Sequence, residues 1–269
     1  MEVQPDQPLI RLDRVGKEFE GLSGETYRAL HELSIDIRRG DFYCLLGPSG
    51  CGKSTVLNLV AGFENPTSGR IEIEKGSQRR SDPGPGTDRI MIFQDSSAAL
   101  FPWLNVAENI LFGPKLVGAA HYEQRLKTYL QMVGLTQHAH KFPFELSGGM
   151  KQRVQIARSL IMDPDVLLMD EPFAALDAIA KRTLQQELSR IWQETRKTVI
   201  YVTHDLVEAL VLGTRVGVMT AGPASRVKTE IRVDFARPRV TTSPEFVDAV
   251  RTLEGAIQDE IRAAATEAV

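Results

Sequence analysis

The 269-residue sequence contains only two cysteines and no long apolar run. Cys44 and Cys51 lie in a predicted strand and in the turn after it, where a disulfide would distort both elements, so reduced thiols and a cytoplasmic location are expected. Every apolar stretch falls short of the roughly 18–20 residues that a membrane-spanning helix needs. The first residues also lack the basic-then-apolar order of a secretion signal. Any membrane association is therefore expected to be peripheral.

A strong excess of either charge is missing as well. The net charge is −3 and the pI is about 6.0, which gives no electrostatic footprint for nucleic acid. Hydrophobic residues make up 42% of the chain and charged residues 25%. A chain of this length and composition can bury a substantial core, as one large α/β domain or two smaller ones.

Short β-like runs recur along the chain and alternate with helical runs after its midpoint. The predicted strands are Leu9–Val15, Ala29–Ile37, Phe42–Leu46, Arg70–Glu74, Arg89–Phe93, Val166–Met169, Val199–Thr203 and Val216–Thr220. The stretch from about 105 to 162 is predicted to be helical, and Gln78–Asp88 is predicted to be a surface loop. We therefore expect an α/β fold, in which a strand-rich core with a parallel sheet is interrupted by a helical insertion.

A last helix is predicted to begin at Ser243 and Pro244, since a capping residue followed by proline is a good helix start. An apolar stripe at helical spacing follows: Phe246, Val250, Leu253, Ile257 and Ile261. Such a stripe either covers the core or contacts a partner.

The most informative segment lies between a predicted buried strand and a predicted helix. It consists of Gly47, Pro48, Ser49, Gly50, Cys51, Gly52, Lys53, Ser54 and Thr55, and it fits the phosphate-binding pattern G-x-x-x-x-G-K-[ST]. Such a unit aims backbone N–H groups and the positive end of a helix dipole at one anion. Lys53 supplies a charge for the β- and γ-phosphates, and Ser54 supplies a hydroxyl for Mg²⁺. A glycine-rich turn that arose by chance is the alternative, and the context favours nucleotide binding.

A second phosphate-site signal follows the apolar run Val166–Met169, which is typical of a central parallel strand. Asp170 and Glu171 come directly after it, and ligands of open α/β sheets lie beyond the carboxyl ends of strands. Asp170 is expected to orient Mg²⁺. Glu171, held extended by Pro172, is expected to polarise the water that attacks the γ-phosphate. Two solvated carboxylates at a strand end are the alternative.

The segment Leu146–Arg153 reads Leu-Ser-Gly-Gly-Met-Lys-Gln-Arg, in which Ser147 can cap a helix that starts with glycines. This segment resembles the signature motif of ATP-binding-cassette (ABC) ATPases. The family's other motifs have counterparts along the chain, so the resemblance covers essentially all of it. These counterparts are Gln94, Asp170-Glu171, Ala175-Leu176-Asp177 and Thr203-His204-Asp205. A helix cap without a ligand is the alternative for Ser147.

The resemblance implies a head-to-tail dimer of two copies that enclose two ATP molecules. The phosphate loop of one copy would face Ser147, Gly148 and Gly149 of the other, and Asp177 would cross the interface. Gln94 would contact Mg²⁺ and the attacking water, so that Ser54, Gln94 and Asp170 form the metal site. His204 would hold the γ-phosphate and orient Glu171.

Several of these residues also have structural interpretations. Phe19 lies where the family places an aromatic residue that stacks on adenine, with Tyr27 as its rival and a buried phenylalanine as the alternative. Asp177 fits a helix cap. His204 precedes Asp205 and Glu208, whose spacing resembles a capping box.

The resemblance implies one nucleotide-binding domain over residues 1–269, with a P-loop NTPase core and an antiparallel β subdomain. The expected core covers about 1–93 and 164–240, the helical insertion about 95–163 and the C-terminal helix about 243–265. The expected function is that of an ATPase subunit on the inner face of the cell membrane. It would drive a separate permease served by a solute-binding protein.

The segment Leu100–Asn109 resembles that of importers for nitrate, sulfonate and taurine, as do Glu171–Asp177 and Arg237–Arg239. Trp103 is expected to contact the permease, or else to pack on the chain's own insertion. The run after Gln94 is about two residues longer than this subgroup implies. An exporter or lipid-transport ATPase, or a soluble ABC ATPase, is the alternative function.

Overall fold

The computed structural model describes residues 7–21, 24–76, 78–82 and 84–267, excluding the side chains of residues 259 and 261–267. The described residues form ten β-strands and eight α-helices. The strands are β1 (Ile10–Glu20), β2 (Thr26–Ile37), β3 (Phe42–Leu46), β4 (Ser68–Lys75), β5 (Gln78–Ser81), β6 (Arg89–Ile92), β7 (Val166–Asp170), β8 (Thr198–Thr203), β9 (Arg215–Met219) and β10 (Val227–Arg232). The helices are α1 (Lys53–Ala61), α2 (Ser96–Ala99), α3 (Val106–Leu116), α4 (Tyr122–Met132), α5 (Gly148–Leu160), α6 (Ala178–Thr195), α7 (Leu206–Leu212) and α8 (Pro244–Glu267). The chain divides into two compact units. The first consists of residues 1–86 and 198–269, and the second of residues 87–197.

The first unit contains an antiparallel sheet in the order β2-β1-β4-β5. Its strands bury alternate aliphatic side chains, such as Ile10, Leu12, Ile71 and Ile73. The resulting sheet has one buried face and one polar face, as an antiparallel sheet over a core requires.

The same unit contains four further strands in the order β10-β9-β3-β8. Strand β3 runs parallel to both β8 and β9, and β10 is antiparallel to β9. Every residue of β3 and β8 is buried, which is typical of central parallel strands. The phosphate loop therefore leaves one of the most deeply buried strands of this unit.

Two arginines hold the end of α7 in the first unit. Arg237 donates hydrogen bonds to the carbonyls of Val211 and Leu212, and Arg239 donates to those of Leu210 and Gly213. Cations at a helix C-terminus satisfy its last carbonyls and complement its dipole. The Arg237–Arg239 segment therefore fixes α7 rather than lying free.

The second unit pairs β6 with β7 in parallel and carries helices α2 to α6. Helix α3 starts at a capping box made by Asn105 and Glu108. The amide of Asn109 is fully buried and donates to three backbone carbonyls, which closes the loop before α3. Helix α5 buries the stripe Val154, Ala157 and Leu160.

All eight predicted strands are present with ends within a few residues, and the stretch from 105 to 162 is helical as predicted. The prediction of a surface loop over Gln78–Asp88 was wrong at its start. Residues 78–81 form β5, which pairs antiparallel with β4 although all four are exposed. An exposed edge strand has no alternating apolar pattern, and this one is held by cross-strand contacts such as Arg79 with Glu72.

Strand β10 was missed, although Val227, Thr229 and Ile231 alternate with charged residues as in a half-exposed strand. The predicted last helix is confirmed as α8, and its stripe covers the core in part. Phe246 and Leu253 are fully buried, whereas the predicted position Ile261 lies outside the residues whose side chains are described.

Candidate functional site

The phosphate loop connects β3 to α1, as the sequence predicts. The N-cap of α1 is Gly52, which has no side chain to occupy the backbone donors of the helix N-terminus. Lys53 is only 5% exposed, and its ammonium donates to the carbonyls of Gly47 at 2.9 Å and Pro48 at 2.8 Å. The loop therefore curls around its own lysine, while Ser49, Gly50 and Ser54 are exposed.

Two glycines of the loop have backbone conformations that other residues rarely adopt. Gly50 has φ +81° and open space where a Cβ would lie. Gly52 has φ +83°, and a Cβ there would lie 2.9 Å from Leu30 Cδ2 and 3.3 Å from the Ala29 carbonyl oxygen. Gly50 is therefore needed only for the backbone conformation of the turn. Gly52 is needed for its backbone conformation and also for close packing against β2.

Both cysteines are buried thiols. Burial raises the pKa of Cys51, and the nearby Lys53 ammonium opposes that rise without cancelling it. Burial likewise raises the pKa of Cys44, with the Glu208 carboxylate adding to the effect. Both side chains are therefore neutral packing groups at neutral pH.

His204 lies directly after β8 and its residue is exposed. The predicted capping box that follows it is only half correct. Asp205 is the N-cap of α7 and accepts from the Glu208 N–H at 3.0 Å. The Glu208 carboxylate does not return to Asp205; it accepts the hydroxyl of Thr203 instead. In a standard capping box the Glu208 carboxylate would accept from the N-cap N–H. Here it accepts from the hydroxyl of Thr203, the residue before His204.

Phe19 and Tyr27 face each other across the β1–β2 pair, so the two rival aromatic residues are neighbours. Phe19 is 37% exposed and Tyr27 is 50% exposed. The alternative of a buried Phe19 is therefore wrong. The Lys17 ammonium lies over the Phe19 ring, 4.9 Å from its centroid.

In the second unit, Asp170 ends β7 and Glu171 follows it, both half-buried. The expectation that Pro172 holds Glu171 extended was wrong, because Glu171 has φ +42°. Proline disfavours the right-handed helical region at the preceding residue, and here the backbone takes the left-handed region instead. That conformation costs a non-glycine residue about 1–3 kcal/mol, and such strain clusters at functional sites.

Ser147 caps α5, and its hydroxyl accepts from the Met150 N–H at 3.3 Å. Ser147, Gly148, Gly149 and Asp177 line one open cavity of about 420 Å³. Asp177 also caps α6, accepting from two N–H groups at 3.0 Å. The structural role expected for each cap is therefore real, and both caps border the same space.

Sequence reasoning did not find every residue that borders this cavity. Arg153, Thr183 and Leu184 also line it, from the second turns of α5 and α6. Their positions follow from helical spacing once Ser147 and Asp177 are recognised as helix starts.

Gln94 is exposed and lies between β6 and α2. The run after it, expected to be longer than in the importer subgroup, forms α2, whose N-cap is Asp95. Two side chains of α5 hold this helix: Lys151 donates to Ser97 Oγ at 3.1 Å, and Arg158 donates to the Ala99 carbonyl at 2.7 Å. Helix α2 is therefore attached to α5, the helix that Ser147 caps.

Trp103 is 70% exposed, yet its ring lies 5.5 Å from that of Phe101. Phe101 in turn packs on Phe112 at 4.3 Å and lies under the guanidinium of Arg158. Both interpretations of Trp103 thus have support, since the side chain touches its own insertion and still presents most of its surface.

The described residues contain no cluster of three or more histidine, cysteine, aspartate or glutamate side chains that could hold a metal by themselves. The predicted set of Ser54, Gln94 and Asp170 has only hard oxygen or amide donors. Such a set suits Mg²⁺, which is usually bound by one or two carboxylates together with substrate phosphates and water.

Comparison with known proteins agrees with these features. The family described as ABC transporter matches residues 30–174. The nitrate import ATP-binding protein NrtD of Synechococcus elongatus is 46% identical over 86% of this chain and 83% of its own length. The taurine import ATP-binding protein TauB of Jannaschia sp. is 41% identical over 93% and 94%, respectively. The bicarbonate transport ATP-binding protein CmpD of Synechocystis sp. is 42% identical over 88% and 83%.

A bacterial ABC transporter cassette solved as a dimer has a TM-score of 0.69 and 30% identity, over 84% of this chain and all of that one. The chain belongs to the ABC transporter family, and the predicted fold class is confirmed. It is an ATP-binding subunit whose ATP hydrolysis is coupled to transport. Within the described part of the chain, no helix has both the length and the apolar character that crossing a bilayer requires.

Proposed function

We propose that residues 1–269 form one nucleotide-binding domain that powers import of a small solute through a separate permease. The relatives named above are import or transport subunits for nitrate, taurine and bicarbonate. All three solutes are small and carry an oxyanion group, so the proposed substrate class is a small oxyanion or sulfonate. The observation that carries the proposal is the phosphate loop, with its uncapped helix N-terminus and its buried lysine.

In this proposal the phosphates of ATP lie against the backbone N–H groups of residues 47–55. The Lys53 ammonium exchanges its two carbonyl partners for phosphate oxygens, which is feasible because lysine carries a mobile point charge. The adenine stacks on the exposed ring of Phe19, with Tyr27 beside it.

Ser54, Gln94 and Asp170 are the proposed Mg²⁺ site. Their hard donors fit that ion, and the ion neutralises charge on the phosphates when bound. The protein's own task at this site is orientation: the half-buried Asp170 ends β7, and Gln94 lies two residues after the end of β6.

Glu171 is the proposed base for the attacking water, and His204 the proposed contact of the γ-phosphate. The position of Glu171 supports this role, because it follows the carboxyl end of the parallel strand β7, where ligands of α/β sheets lie. Glu171→Gln keeps the size and loses the base, so it is expected to bind ATP and hydrolyse it at least ~10²-fold more slowly. Steady-state phosphate release measures this effect, and an unchanged rate would remove Glu171 from the mechanism.

The cavity lined by Ser147, Gly148, Gly149 and Asp177 supports a head-to-tail homodimer. A helix N-terminus that begins with glycines offers backbone donors to an anion, and here it is open to solvent. A γ-phosphate presented by the phosphate loop of a second copy fits that chemistry. Solved dimers of a related cassette, one of them with ADP and phosphate, are consistent with this arrangement.

The exposed rings of Trp103 and Phe112, with the half-buried Phe101 between them, are the proposed contact with the permease, on the inner face of the membrane. Exposed aromatic residues are enriched at interface hot spots. The solute-binding protein would act on the permease and not on this chain.

Co-expression with the permease encoded nearest to it tests the proposal. The chain is expected to co-purify, and its ATPase rate in proteoliposomes is expected to rise with a loaded solute-binding protein for a small oxyanion or sulfonate. Trp103→Ala should weaken co-purification, whereas Phe63→Ala, which alters a 55% exposed ring in the first unit, should not. A wild-type chain that neither co-purifies nor responds to any such solute would contradict the import function.

A further inference from the structure

Three hydrogen bonds form a closed ring among the residues on either side of His204, the histidine that follows β8, and the first turn of α7. The hydroxyl of Thr203 donates to the carboxylate of Glu208. The Asp205 N–H donates to Thr203 Oγ1 at 3.0 Å, and the Glu208 N–H donates to Asp205 Oδ1 at 3.0 Å. The ring joins the residue before His204, the residue after it and the first turn of α7.

This ring fixes the backbone on both sides of His204 while the residue itself remains exposed. Thr203 is the last residue of the fully buried strand β8, and Asp205 is the N-cap of α7. The hydroxyl of Thr203 serves both as donor and as acceptor, so its loss would break two of the three bonds. The bond from the Asp205 N–H to Thr203 Oγ1 thus spans the backbone of His204, and Glu208 is bonded to both of these residues.

The ring contains a carboxylate that packing alone does not require. Glu208 is 3% exposed and Thr203 is 1% exposed. Burying a carboxylate is costly unless hydrogen bonds compensate for the lost water. Glu208 also acts on its surroundings: burial raises the pKa of the Tyr201 phenol, and the Glu208 charge adds to that rise. A neutral apolar residue would fill the same space without this cost.

We propose that Thr203 and Glu208 are positioning residues for His204, holding its imidazole where it meets the γ-phosphate of bound ATP. This inference rests on the proposed role of His204. It assigns Glu208 a task beyond starting α7, because its carboxylate reaches back past the helix to Thr203. If a group that contacts the reacting phosphate is displaced by about 1 Å, the rate can fall as much as ~10²-fold.

Thr203→Val removes the hydroxyl and keeps the shape of the side chain. The variant is expected to lower kcat for ATP hydrolysis at least ~10-fold and to lower the affinity ratio of a non-hydrolysable ATP analogue over ADP ~10-fold, the size of a lost bond to a charged group. ADP lacks the γ-phosphate, so its own affinity should change little. Thr203→Ser restores the hydroxyl and is expected to restore both values.

Thr214→Val is the matched control in the same unit. The hydroxyl of Thr214 accepts from the Phe42 N–H at 3.0 Å and donates to the Phe42 carbonyl at 3.2 Å, and it takes no part in this ring. The control is expected to lower the melting temperature without changing the ATP-over-ADP ratio. If Thr203→Val, like the control, lowers the melting temperature without changing kcat or the ATP-over-ADP ratio, the inference is overturned.

A double-mutant cycle with His204→Ala separates this inference from the function it rests on. If Thr203 acts through His204, Thr203→Val adds no further loss of kcat in the His204→Ala background. Additive losses would overturn the positioning role while leaving His204 in the mechanism. An unchanged kcat in His204→Ala alone would instead overturn the proposed role of the histidine.

Discussion

The phosphate loop and the signature segment both place glycines at a helix N-terminus, yet they differ in how they are held. The phosphate loop is filled by its own buried lysine and packs against β2 through Gly52. The signature segment has one side-chain cap, Ser147, and opens onto a cavity of about 420 Å³. The phosphate loop therefore has a cation of its own beside an uncapped helix N-terminus, whereas the helix start at Ser147 has a side-chain cap and an open cavity in front of it.

This difference fits the proposal that the phosphate loop of one chain and the signature segment of another bind the same nucleotide. A loop that carries a cation and uncapped donors can bind phosphate by itself. A neutral helix start with open space in front of it gains from an anion only when something delivers one. The proposed dimer needs this contrast, because each chain would supply one segment to a shared site. Most of the following substitutions change one of the two segments.

Lys53→Ala is expected to have the largest effect. It removes the only cation of the phosphate-loop segment 47–55, so affinities for ATP and ADP should both fall, and hydrolysis should fall by more than ~10². Fluorescent nucleotide titration and phosphate release measure the two effects. Lys151→Ala, in the signature segment, is the control and should leave the ADP affinity unchanged. Equal ADP affinity in wild type and Lys53→Ala would show that the phosphate loop does not bind phosphate through its own cation, and would contradict the difference drawn between the two segments.

Ser147→Arg acts on the other half. The bulky cation fills the open cavity, so a single chain should still bind ATP with wild-type affinity while ATP-dependent dimerisation is lost. Light scattering after size exclusion measures the mass with and without ATP. Phe144→Arg places the same charge on an exposed residue three positions away and should still dimerise. Dimerisation by Ser147→Arg would contradict the head-to-tail arrangement.

Glycine-to-alanine substitutions compare how tightly the two segments are packed, measured by the free energy of unfolding. Gly52→Ala meets both a positive φ and a Leu30 methyl at 2.9 Å, so it should lower the free energy of unfolding by about 2–4 kcal/mol. Gly148→Ala adds a Cβ 3.3 Å from a Leu176 methyl at a helical position, so its effect should stay within about 1 kcal/mol. Urea denaturation measures both, and equal losses would show that the two segments are packed alike.

A further prediction concerns pH. A buried thiol with a raised pKa stabilises the fold fully below its unfolded pKa of about 8.5, and that contribution is lost as pH rises toward the folded pKa. Each such thiol lowers the free energy of unfolding by up to about 1.4 kcal/mol per pH unit in that range. Cys44→Ala should therefore flatten the stability profile above pH ~8.5 relative to wild type. Parallel profiles would contradict the raised pKa.

Much of this arrangement follows from sequence because its parts are local. A phosphate loop is defined by nine consecutive residues, and the strand β3 and helix α1 on either side have clear apolar patterns. The caps Ser147 and Asp177 were likewise predictable, since capping depends on residues two or three positions away.

The features that sequence reasoning missed depend on contacts that no local pattern encodes. The partner of the Glu208 carboxylate is Thr203 and not the expected backbone group, a choice set by which side chain β8 brings within reach. The positive φ of Glu171 is a backbone state that propensity argues against. Strand β5 is formed by cross-strand pairs on an exposed edge, where hydrophobic periodicity gives no signal.

The mass of the Glu171→Gln protein in solution, measured by light scattering with ADP and with ATP, tests the two half-sites most directly. We predict the mass of one chain with ADP and of two chains with ATP, because only the triphosphate presents a γ-phosphate to the cavity beside Ser147. A single-chain mass with ATP fully bound, at concentrations where wild type hydrolyses it, would contradict the account.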